Sequence, residues 1–284
     1  MNWKLPALAL TSVAGALWAY TRFVEPAHFE VRAVDVALPG LDAAFDGYRI
    51  AHLSDLHYDG VMTAAHLAQI AALANAQRPD MVAFTGDFVT AGLGFDGAAL
   101  ARFLRSLNAP DGVFAVLGNH DHVDHAHALR LALAGAGVRE LENSSFTIRR
   151  GQAGLHITGI DSVYRQRARL DRALAATPDD GAPAIVLVHE PDIAEAVAAM
   201  GRFSLQLSGH AHGGQIALPL ITALGLPGHG HRYITGLYLA GDLPVYVSRG
   251  LGTTSMPLRF NSRPEIGLIT LRAEMKSEGA GVQG

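Results

Sequence analysis

The chain has 284 residues, 49% hydrophobic and 17% charged, with a net charge of −4 and no cysteine. This excludes a disordered chain, a disulfide scaffold, thiolate nucleophiles and cysteine-ligated zinc. No Lys/Arg-rich run is present, so no nucleic-acid partner is expected.

In chain order, residues 5–21 come first and read LPALALTSVAGALWAYT without a charge. As a helix this stretch would reach ~26 Å, a little under a hydrocarbon core of ~30 Å. Lys4 precedes it, and Trp18, Tyr20 and Arg22 suit an interfacial belt. Residues 1–25 are therefore read as a membrane anchor. A cleaved signal segment, with Ala14-Gly15-Ala16 as a small-x-small site, and a buried core helix are the other readings. Lys4 and the amino terminus nearly balance Arg22 and Arg32, so charge does not set the orientation.

Beyond Pro26 the pattern alternates apolar strands with helical segments. Strands are expected at 31–38, 48–53, 81–84, 113–117, 146–149, 155–160, 185–188, 204–207, 233–240, 245–247 and 266–271. Helices are expected at 64–77, 98–107, 126–136 and 193–200. This alternation implies an α/β fold, and the strand-only end implies a mixed sheet with antiparallel members. Two sheets packed as a sandwich and flanked by helices would fit. Residues 26–272 are taken as one domain and 273–284, polar and glycine-rich, as a flexible tail.

Chemistry-bearing residues gather just past strand ends. They are Ser54-Asp55-Leu56-His57, Gly86-Asp87, Gly118-Asn119-His120-Asp121, His189-Glu190 and Gly209-His210-Ala211-His212-Gly213-Gly214. Loops at one end of the strands of a layered α/β fold collect into a common site. Asp55 and His57, like His210 and His212, stand two apart, which in extended backbone turns both side chains to one side. Nitrogen and oxygen donors without sulfur favour Zn, Mn, Fe or Ni over Ca. The donors outnumber what one tetrahedral ion needs and suffice for two ions sharing a carboxylate. Two such ions bring about +4, the carboxylates of Asp55 and Asp87 return about −2, and a hydroxide leaves about +1 to attract phosphate.

The ordered set Asp55-Leu56-His57, Gly86-Asp87, Gly118-Asn119-His120-Asp121, His189 and Gly209-His210-Ala211-His212 resembles the calcineurin-like metallophosphoesterase superfamily. The apolar N-terminus, His189-Glu190-Pro191-Asp192, the extension to Gln215, and the late Arg249-Gly250 and Arg259-Phe260-Asn261 look like its membrane-associated, YkuE/YaeI-like bacterial branch. The resemblance implies a four-layer fold, two mixed β-sheets packed as a sandwich flanked by helices. It implies that Asp55, His57 and His212 hold one metal, that Asn119, His189 and His210 hold the second, and that Asp87 bridges them. His120 would face the scissile phosphate, with Asp121 orienting its ring. The implied cofactors are two divalent ions, Mn, Zn or Fe. The implied reaction is hydrolysis of a phosphodiester or pyrophosphate bond by a bridging hydroxide, on a small-molecule or lipid-linked substrate. A monomer at a bacterial-type cytoplasmic membrane is expected. A broad phosphomonoesterase and a non-catalytic metal-binding scaffold are the alternatives.

Other residues carry weaker expectations. His122, His125 and His127 read as helical surface, and His52 lies in or beside a strand. His66 and His156 lack chemical neighbours, while His229 and His231, in a glycine-rich loop, could line the pocket. Arg249, Arg259 and Arg263 could grip a phosphate or pair with carboxylates. The apolar stretch 218–226 reads as core or as a membrane-facing lip.

Overall fold

The computed structural model describes residues 4–58, 61–219, 222–254 and 256–274. Helix α1 (Lys4–Ala19) comes first and passes into a π-helical turn, Tyr20–Val24, and a 3-10 turn, Glu25–Ala27. Its 16 described residues reach ~24 Å, short of a hydrocarbon core of ~30 Å. Regular α geometry stops where the wider turn begins and Pro26 ends the run. Among the described residues, no helix is long and apolar enough to cross a membrane. A core helix does not fit either, since residues 11–18 are exposed, with Val13 at 67% and Trp18 at 57%. Below α1 the chain is tied down: Arg259 N–H donates to the Thr21 carbonyl and Ser262 N–H to the buried Glu25 carboxylate.

One sheet contains β1 (Glu30–Leu38), β2 (Arg49–Leu53), β3 (Met81–Thr85), β4 (Val113–Val116), the short β5 (Arg139–Glu140) and the final strand β12 (Glu265–Ala273), in the order β1-β12-β2-β3-β4-β5. The second contains β6 (Ser144–Arg150), β7 (Ala153–Ile160), β8 (Ala184–Val188), β9 (Leu205–Ser208), β10 (Gly236–Ala240) and β11 (Leu243–Val247), in the order β10-β11-β9-β8-β7-β6. Both sheets are mixed. Strands β2 to β5 run parallel, as do β7, β8, β9 and β11, while β12 opposes β2, and β6 and β10 oppose their partners. Parallel neighbours need crossovers. These are α2 (Ala64–Ala76), α3 (Gly97–Arg105), α4 (Ala126–Gly135), α5 (Leu170–Ala176) and α6 (Ala194–Ala198). A last short helix, α7 (Thr222–Gly225), follows.

The two-residue period of a strand sorts side chains between layers. Ile50, Ala83 and Phe114 face the second sheet and meet Ile157, Ile185, Leu187 and Leu207. Their neighbours Ala51, Val82, Phe84 and Ala115 face the other way, onto Ile70 of α2, Leu100 and Phe103 of α3 and Leu133 of α4. The outer face of the second sheet, with Val186, Val188 and Val245, is covered by Ala173 of α5 and Val197 of α6. The result is the expected helix–sheet–sheet–helix layering. Strand β5 and helix α5 lie at positions that the apolar pattern did not mark, and β12 extends to Ala273. The expected tail lies, from residue 275, outside the described residues.

Candidate metal centre

Parallel strands of both sheets deliver their carboxyl ends to one edge, where β2 leads to Asp55 and His57, β3 to Asp87, β4 to Asn119, β8 to His189 and β9 to His210 and His212. Strands β3, β8 and β9 are buried throughout, so these loops start from fixed points. The backbone there is not extended, which corrects the same-side argument for the two-apart pairs. Asp55 (φ 51°), His57 (44°), Asp87 (53°), His210 (70°) and His212 (52°) all adopt the left-handed region. For non-glycine residues this costs on the order of 1–3 kcal/mol each and concentrates at functional sites. Backbone bonds hold the strain: Asp55 N–H to Gly86 O (2.9 Å), His57 N–H to Asp87 O (3.0 Å) and Gly209 N–H to His189 O (3.0 Å). Two glycines permit the close approach. A methyl group at Gly118 would overlap the Asp87 carboxylate, and one at Gly209 would overlap Ser54 and Asp55.

The buried donors fall into two groups, Asp55 with His57 and His212, and Asp87 with His189 and His210. His210 and His212 thus serve different groups. In the first, His212 Nε2 lies 3.2 Å from both His57 Nε2 and Asp55 Oδ1. In the second, His189 Nε2 is surrounded by His210 Nδ1 (3.1 Å), Asn119 Oδ1 (3.2 Å) and Asp87 Oδ2 (3.2 Å). Asp87 Oδ2 is also 3.6 Å from His57 Nε2, so this carboxylate lies between the groups. The outer ring nitrogens decide the tautomers. His189 Nδ1 donates to Thr85 O (2.6 Å) and His210 Nε2 donates to Gly228 O (2.8 Å). His210 Nδ1 is then a bare acceptor. His189 Nε2 consequently faces three acceptors, which one proton cannot satisfy and a cation can. The donor chemistry fits a pair of divalent ions.

The charges agree. Burial opposes ionisation of Asp55, but the His212, His189 and His57 imidazoles hold it well below the usual carboxylate range. Burial likewise opposes ionisation of Asp87, and His189 and His57 pull it down. Burial would lower His189, yet the Asp87 and Asp55 carboxylates raise it well above an ordinary imidazole. Burial lowers His57 to about 3 despite Asp87, so that ring is neutral and ready to coordinate. Metal binding at His189 must displace any proton held there.

His120 lines the adjoining cleft, half-buried, with its ring edge-on to His57 at 5.1 Å. Its backbone N–H donates to Asp87 Oδ1 (2.9 Å), and its Nδ1 accepts from Ala91 N–H (3.3 Å). The expected bond from Asp121 to the His120 ring is corrected: Asp121 accepts instead from Gly118 N–H (2.9 Å) and Val89 N–H (3.1 Å). Buried beside Asp87, its carboxyl is pushed up to about 8. Asp121 therefore braces the loop that carries Asn119 and His120.

A family model described as calcineurin-like phosphoesterase matches residues 48–214, which contain every candidate ligand. The chain belongs to the calcineurin-like phosphoesterase family. It is therefore a metal-dependent hydrolase acting on phosphate ester or anhydride bonds. It is 36% identical to the Bacillus subtilis metallophosphoesterase YkuE, over 95% of this chain and 94% of that one. It is 30% identical to the Escherichia coli phosphodiesterase YaeI, over 94% and 97% of the two chains. It is 27% identical to the UDP-2,3-diacylglucosamine pyrophosphatase LpxG of Chlamydia muridarum, over 91% and 95%.

Around this phosphoesterase site the remaining expectations divide. Arg249 is taken by Glu265 and Glu30, and Arg259, fully buried, donates to the carbonyls of Gly252, Ser262 and Arg249. Arg263 is near Glu30 (3.8 Å). Arg249 and Arg263 thus pair with carboxylates and Arg259 with backbone carbonyls, and they brace the 249–265 segment, in which Ser262 Oγ donates to the His212 carbonyl (2.9 Å). His122 departs from a helical surface role, because it precedes α4 and its side chain is buried against Asp161 (2.6 Å). His52 is buried within β2 and bonded to Thr85, and His156 is buried between Thr147 and Asp180. His229 meets Tyr164 edge-on at 6.3 Å, while His231 is exposed. Tyr164 and Arg165, not singled out from sequence, border the site: Tyr164 lines the cleft and Arg165 Nε donates to the Asn119 carbonyl (2.7 Å).

Proposed function

We propose that the chain hydrolyses phosphodiester or pyrophosphate bonds with two divalent cations, Mn, Zn or Fe, held by Asp55, His57 and His212 on one side and Asn119, His189 and His210 on the other, with Asp87 between. The observation that carries this is His189 Nε2 among three acceptors, 3.1–3.2 Å away. When bound, such a pair supplies positive charge for the phosphoryl oxygens and a water acidified to serve as nucleophile. The chain's own groups do the rest. Asn119 contributes a neutral amide oxygen and so leaves the positive charge intact. His120, with Nδ1 accepting from Ala91, presents an Nε2–H donor to the phosphoryl group. Two relatives support the bond type, one named a phosphodiesterase and one a pyrophosphatase.

The cleft supports a substrate with an apolar arm. It encloses about 540 Å³, and Ile216, Pro227 and Met256 give it an apolar wall. Met256 is 54% exposed, as are the apolar side chains of Val13, Trp18 and Phe23 near the N-terminus at 57–67%. An apolar arm on the substrate and attachment of α1 to a bacterial-type cytoplasmic membrane account for both exposures. Part of the proposed lip, residues 220 and 221, lies outside the described residues.

The test is a panel on metal-reconstituted protein: bis(4-nitrophenyl) phosphate, 4-nitrophenyl phosphate and ADP-ribose. A diester or pyrophosphate is expected to exceed the monoester in kcat/KM by at least about tenfold. A monoester preference would replace this reading with a phosphomonoesterase, and no turnover with both metals bound would leave a scaffold. Deleting residues 1–18 keeps Thr21 and Glu25 in their bonds. It is expected to release the protein from liposomes while activity on the chromogenic diester persists. Liposome binding that survives the deletion would sink the attachment through α1.

A further inference from the structure

The described lining of the cleft contains no lysine or arginine. Arg165, outside that lining, is joined to it through the carbonyl of Asn119, which accepts from its Nε (2.7 Å). The loop that presents this arginine is fixed from below by Glu190, fully buried and one residue past the ligand His189. The Glu190 carboxylate accepts from Ser162 Oγ (2.5 Å), Val163 N–H (3.0 Å) and Tyr164 N–H (3.1 Å). Ser162 Oγ in turn accepts from Arg165 N–H (3.3 Å). Three donors converge on this one carboxylate, so the loop is set before substrate arrives. Tyr164 projects over the cleft, 48% exposed, with its ring 6.2 Å from that of His210. Arg165 uses Nε on the Asn119 carbonyl, and its side chain is exposed. Its two terminal nitrogens have no hydrogen-bond partner among the described residues.

The charge balance gives this arginine a task. Two divalent ions with Asp55, Asp87 and one hydroxide leave about +1, enough for the single charge of a diester. A second phosphate brings a further negative charge that the metal pair does not match. We propose that Arg165 is a specificity-determining residue that takes this second phosphate, so that the site favours a pyrophosphate linkage over a diester with an uncharged leaving group. A planar guanidinium with two unused nitrogens suits a phosphate's paired oxygens. Hydrolysis then adds water across the P–O–P bridge, one phosphorus gaining the new oxygen and the other departing as a phosphate monoester. The proposal rests on the phosphoesterase reading above.

The test compares wild type, Arg165→Ala and Arg165→Lys on ADP-ribose and on bis(4-nitrophenyl) phosphate, with metal content measured for each. Arg165→Ala is expected to lower kcat/KM for ADP-ribose about 10- to 100-fold, mainly through KM, and for the chromogenic diester less than about threefold, at unchanged metal content. Arg165→Lys is expected to recover part of the loss. An equal fall on both substrates would make Arg165 a brace for Asn119 and overturn the proposal. So would no fall on either, or a wild type that cleaves the diester and not ADP-ribose. A wild type that cleaves neither with both metals bound would instead remove the phosphoesterase reading, and this proposal with it.

Discussion

Asp87→Ala is expected to cost the protein more than about 100-fold in metal affinity and on the order of 1,000-fold in turnover. One carboxylate has three duties there. Its Oδ2 lies 3.2 Å from His189 Nε2 and 3.6 Å from His57 Nε2, one from each donor group, while Oδ1 accepts the His120 backbone N–H at 2.9 Å. On the proposed reading, removing it takes the shared ligand from both metals and releases the loop that presents His120. It also removes the strongest of the charges that hold His189 well above an ordinary imidazole. Asp87→Asn is the informative companion, because the amide keeps the shape and loses the charge. Metal content by mass spectrometry and turnover of a chromogenic diester are the measurements. An alanine variant that kept both metals and full activity would show that Asp87 does not bridge.

The site's residues were legible in sequence because each follows a buried strand, and the strands could be read from short apolar runs. Asp87 is the clearest case: the uninterrupted run of β3 ends before Gly86 and the residue after that glycine is the candidate ligand. The conformations were not legible. Five of the candidate ligands hold a positive φ, which their residue types do not announce as glycine would, so the extended-backbone argument, which let each pair serve one centre or two adjacent ones, had the wrong geometry, and the grouping came from the family resemblance. Long-range partners were hidden for a different reason. Arg165 and Asn119 are 46 positions apart, and nothing local to either marks the bond. Arg259, read as either a phosphate grip or a carboxylate partner, is instead fully buried and given to backbone carbonyls. In the fold, β5 escaped notice because two residues cannot display a period of two, and α5 because seven residues give barely two helical turns.

His120→Ala is expected to lower kcat about 100- to 1,000-fold while both metals remain bound. The metals remain because no imidazole atom of His120 belongs to either donor group. The size follows from losing one preorganised donor at the phosphoryl group. The hydrogen bond from Ala91 N–H to Nδ1 adds a sharper expectation. With Nδ1 accepting, the ring holds its proton on Nε2. Giving that proton away would leave an imidazolate, so His120 donates a hydrogen bond to a phosphoryl oxygen rather than a proton to the departing one. The penalty of His120→Ala should then be nearly the same for a 4-nitrophenyl diester, whose leaving group needs no proton, and for an alkyl diester, whose leaving group does. A general acid would give a penalty that grows steeply as the leaving group becomes more basic. A flat series of kcat ratios across leaving groups supports the donor role, and a steep one overturns it.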